Sequence, residues 1–211
     1  MYFKVLLIME KNKYLDDLKE IKAIMSRTTQ FISLSGLSGV STGIIALTGV
    51  WLAFVTVFKG KDYLVYNTVS LSNEREIYLL AIALGTVILS IVSAIFFTKR
   101  KSKIQKQIIW NDLTKRFLFN LLIPLVTGGI LCLMLLSKGF IGFLPSLTLV
   151  FYGLSLINGS KYTFREIRYL GIIQILLGLL AFQFISYSLL FWALGFGIIQ
   201  IIYGLLIHKK N

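Results

Sequence analysis

The chain has 211 residues, of which 56% are hydrophobic, 14% aromatic and only 15% charged, whereas soluble domains average about 25% charged. That composition excludes an ordinary soluble domain and points to an integral membrane protein. The formal charge of +13, from 22 Lys and Arg against 9 Asp and Glu, gathers at the ends of apolar segments, where it sets topology rather than binding nucleic acid.

In chain order, the apolar run Val5 to Met9 is short and is followed by mixed charge, so no secretory signal is expected. Residues 12 to 30 carry Leu15, Leu18, Ile21, Met25 and Thr28 at a spacing of three to four, with Asp16, Asp17, Lys19, Glu20, Lys22 and Arg27 between them. This predicts an N-terminal amphipathic helix within a cytoplasmic piece, residues 1 to 30, that lies against the membrane or the bundle. The remainder, 31 to 211, reads as an all-α domain of six transmembrane helices, at about 34 to 58, 77 to 98, 117 to 136, 140 to 157, 170 to 187 and 189 to 207. Each meets the ~17 to 25 apolar residues that a bilayer crossing needs. A β-barrel is disfavoured because the runs are long, continuous and without alternation.

The first span opens with Ser35, Gly39 and Gly43 four residues apart, a small-residue face on which another helix can pack closely. It is not a phosphate loop, since no strand precedes it and no Walker lysine follows. Between the second and third spans the linker 99 to 116 holds seven basic residues. Residues 101 to 115 are expected to form a second surface helix with Ile104, Ile108 and Trp110 toward the headgroups. Lys99, Arg100, Lys101, Lys103 and Lys106 there are candidates for contact with anionic lipid. Cys132, the only cysteine, lies in an apolar run, which excludes an intrachain disulfide and a cysteine-rich metal site. Pro124 and Pro145 fall inside spans, where prolines are tolerated, and Ser137-Lys138-Gly139 marks the turn between spans three and four. Residues 170 to 207 contain no Asp, Glu, Lys or Arg. A single helix of that length would run about 57 Å, well beyond the hydrocarbon thickness, so the chain must turn, most naturally at Ser186-Tyr187-Ser188.

Sliding the chain by 51 residues aligns 120 to 154 with 171 to 205 without a gap. Leu125, Ser137, Phe140, Tyr152, Gly153 and Leu154 then meet Leu176, Ser188, Phe191, Tyr203, Gly204 and Leu205. The first hairpin joins through Gly43-Ile44-Ile45 and Ala53-Phe54, matching Gly171-Ile172-Ile173 and Ala181-Phe182. Its second span joins through Ala83-Leu84-Gly85, matching Ala193-Leu194-Gly195. The expectation is three antiparallel hairpin repeats, related by an axis along the membrane normal. The glycine pattern from Gly171 through Gly178, and from Gly195 and Gly197 to Gly204, resembles the HdeD-like family of bacterial membrane proteins. Those are small six-span inner-membrane proteins of tandem hairpins whose founding member is associated with acid resistance. The whole chain also looks like a group of membrane proteins from Bacteroidetes. The resemblance implies a bacterial inner-membrane location and supplies no catalytic residue.

Chemistry within the spans is limited to amides and hydroxyls. None of the expected spans holds Asp, Glu, Lys, Arg or His, which speaks against proton relays, ion coupling and intramembrane hydrolysis. His208, the single histidine, sits beside Lys209 and Lys210 at the last turn and reads as interfacial. Asn120, Gln174, Gln183 and Gln200 are the costly groups, because an unpaired amide in hydrocarbon costs several kcal/mol. They are read as interhelical hydrogen-bond formers or as the lining of a polar cavity, with Asn120 and Gln174 placed at a shallow inner vestibule. Thr127, Phe151, Tyr152 and Trp192, near the flexible glycines, mark where a groove would lie. The expected function is that of a non-enzymatic inner-membrane protein with a structural, regulatory or stress-related role and no cofactor or metal. The alternatives are a channel or facilitator for a neutral or lipophilic solute, and a membrane anchor for a cytoplasmic protein partner docked on the basic linker. Lipid is the expected partner, with a homo-oligomer as a further candidate and no nucleic acid.

Counting Lys and Arg gives 18 on the side of both termini against 4 on the other, so both termini are expected in the cytoplasm. With Cys132 replaced by serine, Lys138→Cys is expected to react with a membrane-impermeant maleimide added to intact cells. Asn211→Cys is expected to react only after permeabilisation; the opposite pattern would contradict this orientation.

Overall fold

Six helices long and apolar enough to cross a bilayer are found among the described residues of the computed structural model, which are 35–58, 73–105, 112–163 and 165–210. The amphipathic helix expected over 12 to 30, the loop 59–72, and Lys106, Ile108 and Trp110 lie outside them. α1, Gly36–Ala53, runs on into a π-helical turn, Phe54–Phe58. α2 is Asn73–Gln105 and α3 is Asp112–Ser137. α4, Leu144–Gly159, is flanked by 3-10 turns at Ile141–Phe143 and Ser160–Tyr162. α5 is Arg165–Gln183. The sixth span is built from α6, Ser188–Trp192, a π-helical segment, Ala193–Ile199, and α7, Gln200–Lys210.

The second and third helices extend well past the apolar stretches. A separate surface helix over 101 to 115 is not what the described residues show. Lys101 to Gln105 are the last turn of α2, and Asp112 to Lys115 are the first turn of α3. Helix continues through both because charge is favourable there: Lys103 in the last turn of α2 and Asp112 in the first turn of α3 each complement the helix dipole. Gly139, at φ +79°, ends α3. From that left-handed conformation the chain bends back, so that the N–H groups of Gly139 and Phe140 donate to the carbonyls of Leu136 and Leu135, each at 2.9 Å. The uncharged stretch turns at Phe184 to Tyr187, where Phe184 N–H donates to Leu180 O at 2.9 Å and a 3-10 turn spans Ile185–Tyr187. Ser188 already belongs to the next helix.

Within residues 33–211, α1 packs on α2, on α7 and on the π segment, while α4 packs on α3, α5 and α6. Two of these contacts are backbone against backbone. On the α4–α5 face, a methyl group at Gly153 would lie 2.6 Å from the Gly171 carbonyl oxygen, and one at Gly178 would lie 2.9 Å from that of Ser146. On the α1–α7 face, a methyl at Gly204 would lie 2.6 Å from the Gly36 carbonyl oxygen, and one at Gly43 would lie 2.8 Å from that of Gly197. Each α4 position here stands 51 residues before its counterpart in the sixth span, and each α5 position 135 residues after its counterpart in α1. The backbone neighbours follow the same rule: Gly171 approaches Ile157 N and Gly36 approaches His208 N, while Gly153 approaches Ile175 N and Gly204 approaches Val40 N.

This contact register differs from the match of Gly43-Ile44-Ile45 with Gly171-Ile172-Ile173. Gly43 occupies the contact position of Gly178, seven residues and about two helical turns further on. A shift of two turns returns to nearly the same helix face, so residue similarity alone cannot separate the two registers. The outward surfaces are apolar: Trp51, Tyr78, Ile88, Phe96, Phe119, Leu133 and Leu206 are all exposed, as lipid-facing side chains are in a membrane helix bundle.

Enlarging a backbone contact is expected to cost far more than enlarging an open glycine. Gly153→Val and Gly204→Val should lower the thermal midpoint in detergent, reflecting about 1–3 kcal/mol or more of overpacking. Gly85→Ala and Gly129→Ala, where no atom lies within 4 Å of an added methyl, should leave it unchanged or raise it. Equal losses in both pairs, by fluorescence-detected size exclusion after heating, would contradict the packing.

Candidate functional site

The sixth span presents Trp192, Phe196, Gln200 and Tyr203 at spacings of four, four and three, which places them along one helix face. Together they cover roughly 16 Å of the helix axis. The face is turned toward α4 and α5. The Trp192 indole N–H donates to Thr148 Oγ1 at 3.0 Å. Its ring packs on Phe196 at a centroid distance of 4.8 Å, and Phe196 packs on Tyr152 at 4.9 Å. The Gln200 amide nitrogen lies 3.2 Å from the Tyr152 hydroxyl as its donor. Tyr152 and Tyr203 both rest on the buried cluster of Leu156, Ile167 and Leu170. A line of aromatic and polar side chains therefore runs through the interior from Thr148 and Trp192 toward Tyr203.

Gln174 stands at the middle of α5, 0% exposed, and its Nε2 donates to the carbonyl oxygen of Gly195 at 2.8 Å. Gly195 belongs to the π segment, whose wider turns carry the backbone outward relative to an α-helix. Glycine leaves room here for the ends of two neighbouring side chains. A methyl there would lie 2.5 Å from Leu149 Cδ2 and 2.6 Å from Gln174 Oε1.

The interior polar groups divide into two kinds. Three that lie away from this line are paired between helices: Ser155 Oγ donates to Leu121 O at 2.9 Å, Asn158 Nδ2 to Asn120 O at 2.7 Å, and Ser93 Oγ to Ser41 Oγ at 2.7 Å. Each of these ties two helices together. Along α4, α5 and the sixth span, by contrast, four buried polar atoms have no hydrogen-bond partner: Ser146 Oγ, Gln174 Oε1, Gln200 Oε1 and the Tyr203 hydroxyl. Thr163 Oγ1, beyond the end of α4, is a fifth. Buried polar groups are nearly always satisfied, and each that is not costs about 1–3 kcal/mol.

Of the residues singled out in the sequence, Gln174 and Gln200 fall in this constellation, as do Tyr152 and Trp192. The inner vestibule shared by Asn120 and Gln174 does not form. Asn120 bonds along its own helix to Arg116 O at 2.8 Å, and Gln174 lies at mid-helix, because α5 begins at Arg165, before the apolar run. Gln183 is exposed at the end of α5. Thr127 donates to Ile123 O of its own helix, and Phe151 packs against Gly128. Gly39 and Gly43 face the sixth span, while Ser35 is buried just before α1. Lys99, Arg100 and Lys103 are exposed at the end of α2, and Lys101 is half-buried there. Ser146, Thr148 and Tyr203 were not identified as site residues from sequence. Tyr203 had a signal in its Tyr-Gly match to Tyr152; the two small hydroxyl residues had none. Among the described residues, no group of three His, Cys, Asp or Glu side chains is placed to hold a metal ion. No family model, no curated protein and no solved structure matches the chain.

The Gln174–Gly195 contact sets an expectation for paired variants. Gly195→Ala and Gln174→Ala should each lower the thermal midpoint, with about 1–3 kcal/mol lost to overpacking in the first. The double variant should lose less than the two together, because the added methyl no longer meets Gln174 Oε1. Strictly additive losses would show that the two residues do not touch.

Proposed function

We propose that this chain is a non-enzymatic, multi-pass protein of a bacterial inner membrane that binds a small neutral solute in its interior and lets it pass. The observation that carries this reading is the set of four unpartnered buried polar atoms, Ser146 Oγ, Gln174 Oε1, Gln200 Oε1 and the Tyr203 hydroxyl, spread over three adjacent helices. Polar groups that serve only to join helices come paired, as those of Ser155, Asn158 and Ser93 do. Groups left without partners on three adjacent helices suit a molecule that brings its own hydrogen bonds. A neutral solute matches the lining, since Thr148, Tyr152, Gln174, Trp192 and Gln200 are all uncharged at neutral pH and a buried ion would need compensation.

In this reading the three hairpins are copies of one unit. The recurrence of the same backbone contacts between α4 and α5 and between the sixth span and α1 supports it. Both termini and the basic helix ends face the cytoplasm, as the distribution of Lys and Arg favours.

Reconstituted into liposomes, the protein is expected to speed the entry of neutral solutes the size of glycerol or urea. Stopped-flow light scattering against empty liposomes measures this, and Gln174→Leu should reduce the effect. Rates equal to those of empty vesicles for every solute would overturn the facilitator reading in favour of a structural or regulatory role.

A further inference from the structure

Resting on the solute-binding reading above, we infer that the site selects for hydrogen-bond donors: it takes a small neutral solute bearing two or more N–H groups, of the urea or primary carboxamide class. The argument begins at Gln174. The two ends of a glutamine carboxamide usually cannot be told apart, but here the partner decides. The Gly195 carbonyl oxygen can only accept, so the atom 2.8 Å from it must be the amide nitrogen. Gln174 Oε1 is thereby fixed as the free end. It is an acceptor with no donor, on a side chain that is 0% exposed.

The second carboxamide is adaptable. The Tyr152 hydroxyl can accept from Gln200 Nε2 or donate to Gln200 Oε1, so turning the amide over keeps this bond and exchanges the atom left free. The hydroxyls of Ser146 and Tyr203 can take either role. The three helices thus offer one fixed acceptor, one amide able to present either end, and two hydroxyls. A solute with at least two N–H donors and one acceptor can pair with each of them in turn as it passes. A solute that only accepts leaves Gln174 Oε1 unpaired, and a site that offers a hydrogen bond discriminates strongly against a ligand that cannot complete it.

The lining narrows the class further. Beside the Gln200 amide stands the ring of Tyr152, and Phe196 packs on both Tyr152 and Trp192. A flat amide or urea can lie against such faces while its N–H edge points at the carboxamide oxygens.

The experiment uses the full-length protein in liposomes and follows the entry of acetamide, urea, glycerol and water, with N,N-dimethylacetamide as an acceptor-only competitor. Acetamide and urea are expected to enter faster than in empty vesicles, with no inhibition by N,N-dimethylacetamide. Gln174→Met should cut their entry about tenfold, the order of one buried hydrogen bond. Gln183→Met, which alters an exposed glutamine at the end of the same helix, should have no effect. Gln200→Met serves as a second probe and should also slow entry, and each variant is checked for a monodisperse elution profile.

Entry of glycerol at the acetamide rate, unaltered by Gln174→Met, would overturn the donor selectivity while leaving a neutral-solute pathway in place. Enhanced water entry without urea or acetamide entry, or competition by N,N-dimethylacetamide, would also overturn the selectivity. No enhancement for any solute, water included, would instead remove the solute reading on which the selectivity rests.

Discussion

The architecture depends on backbone meeting backbone at glycine. In lipid, apolar side chains gain nothing by leaving the solvent, because the solvent is equally apolar, so helices associate through close packing and hydrogen bonds. Gly153 against Gly171, and Gly204 against Gly36, bring two helix backbones within reach of a single added methyl group. These contacts join α4 to α5 and the sixth span to α1, so helices distant in the chain are held as closely as helices that follow one another in it. The chain's first and last spans are among those drawn together. α2 and α3, by contrast, have their most apolar stretches almost entirely exposed, 0% and 6% buried.

Such close packing makes the loosely satisfied polar line conspicuous. Where two helices need only to adhere, one hydroxyl or amide finds one carbonyl, as Ser155 finds Leu121 O and Asn158 finds Asn120 O. Between α4, α5 and the sixth span the polar atoms outnumber their partners. The π segment takes part in this arrangement. It carries Gly195 to the Gln174 amide, engages the nitrogen, and leaves the oxygen beside Gly195 without a donor. An alanine at the same position would push the ends of the Gln174 and Leu149 side chains aside. Structure and proposed binding are therefore linked through one residue pair, and the amide that fixes the fifth and sixth spans is also the one that meets the solute.

Much of the fold was legible in the sequence, because membrane spans announce themselves by length and continuous apolarity. Six spans were expected and six helices of suitable length are found among the described residues. The turn at Ser137-Lys138-Gly139 was legible because a left-handed glycine after a polar residue leaves few alternatives. The helix ends were harder. Charged residues continue α2 to Gln105 and begin α5 at Arg165, and hydropathy has no term for a helix that extends past the membrane. That extension displaced Gln174 from a supposed vestibule to mid-helix. The contacts of α1 set Gly43 in the place that Gly178 takes in α5, two turns from its sequence match with Gly171, since Gly36, Gly39 and Gly43 offer several equivalent matches along one helix face. Gln174 and Gln200 stood out as costly amides, whereas Ser146 and Thr148 did not, because a hydroxyl in a span usually bonds its own helix, as Thr148 does to Pro145 O, and gives no sign of a second partner or of a missing one. The π segment at Ala193–Ile199 had no sequence signal beyond its two glycines.

The central claim is that Gln174 Oε1, enclosed by protein and without a protein donor, meets a mobile polar molecule in the bilayer-embedded state. Solid-state NMR with glutamine-labelled protein in lipid bilayers tests it directly, by transferring polarisation from water and from deuterium-exchangeable urea protons to the glutamine carboxamides. Gln174→Met assigns the signal. The account predicts rapid build-up at the Gln174 carboxamide, comparable with that at exposed Gln183 and enhanced by urea. Build-up only by slow diffusion through the protein, unaffected by urea, would show a dry and purely structural amide and would contradict the account.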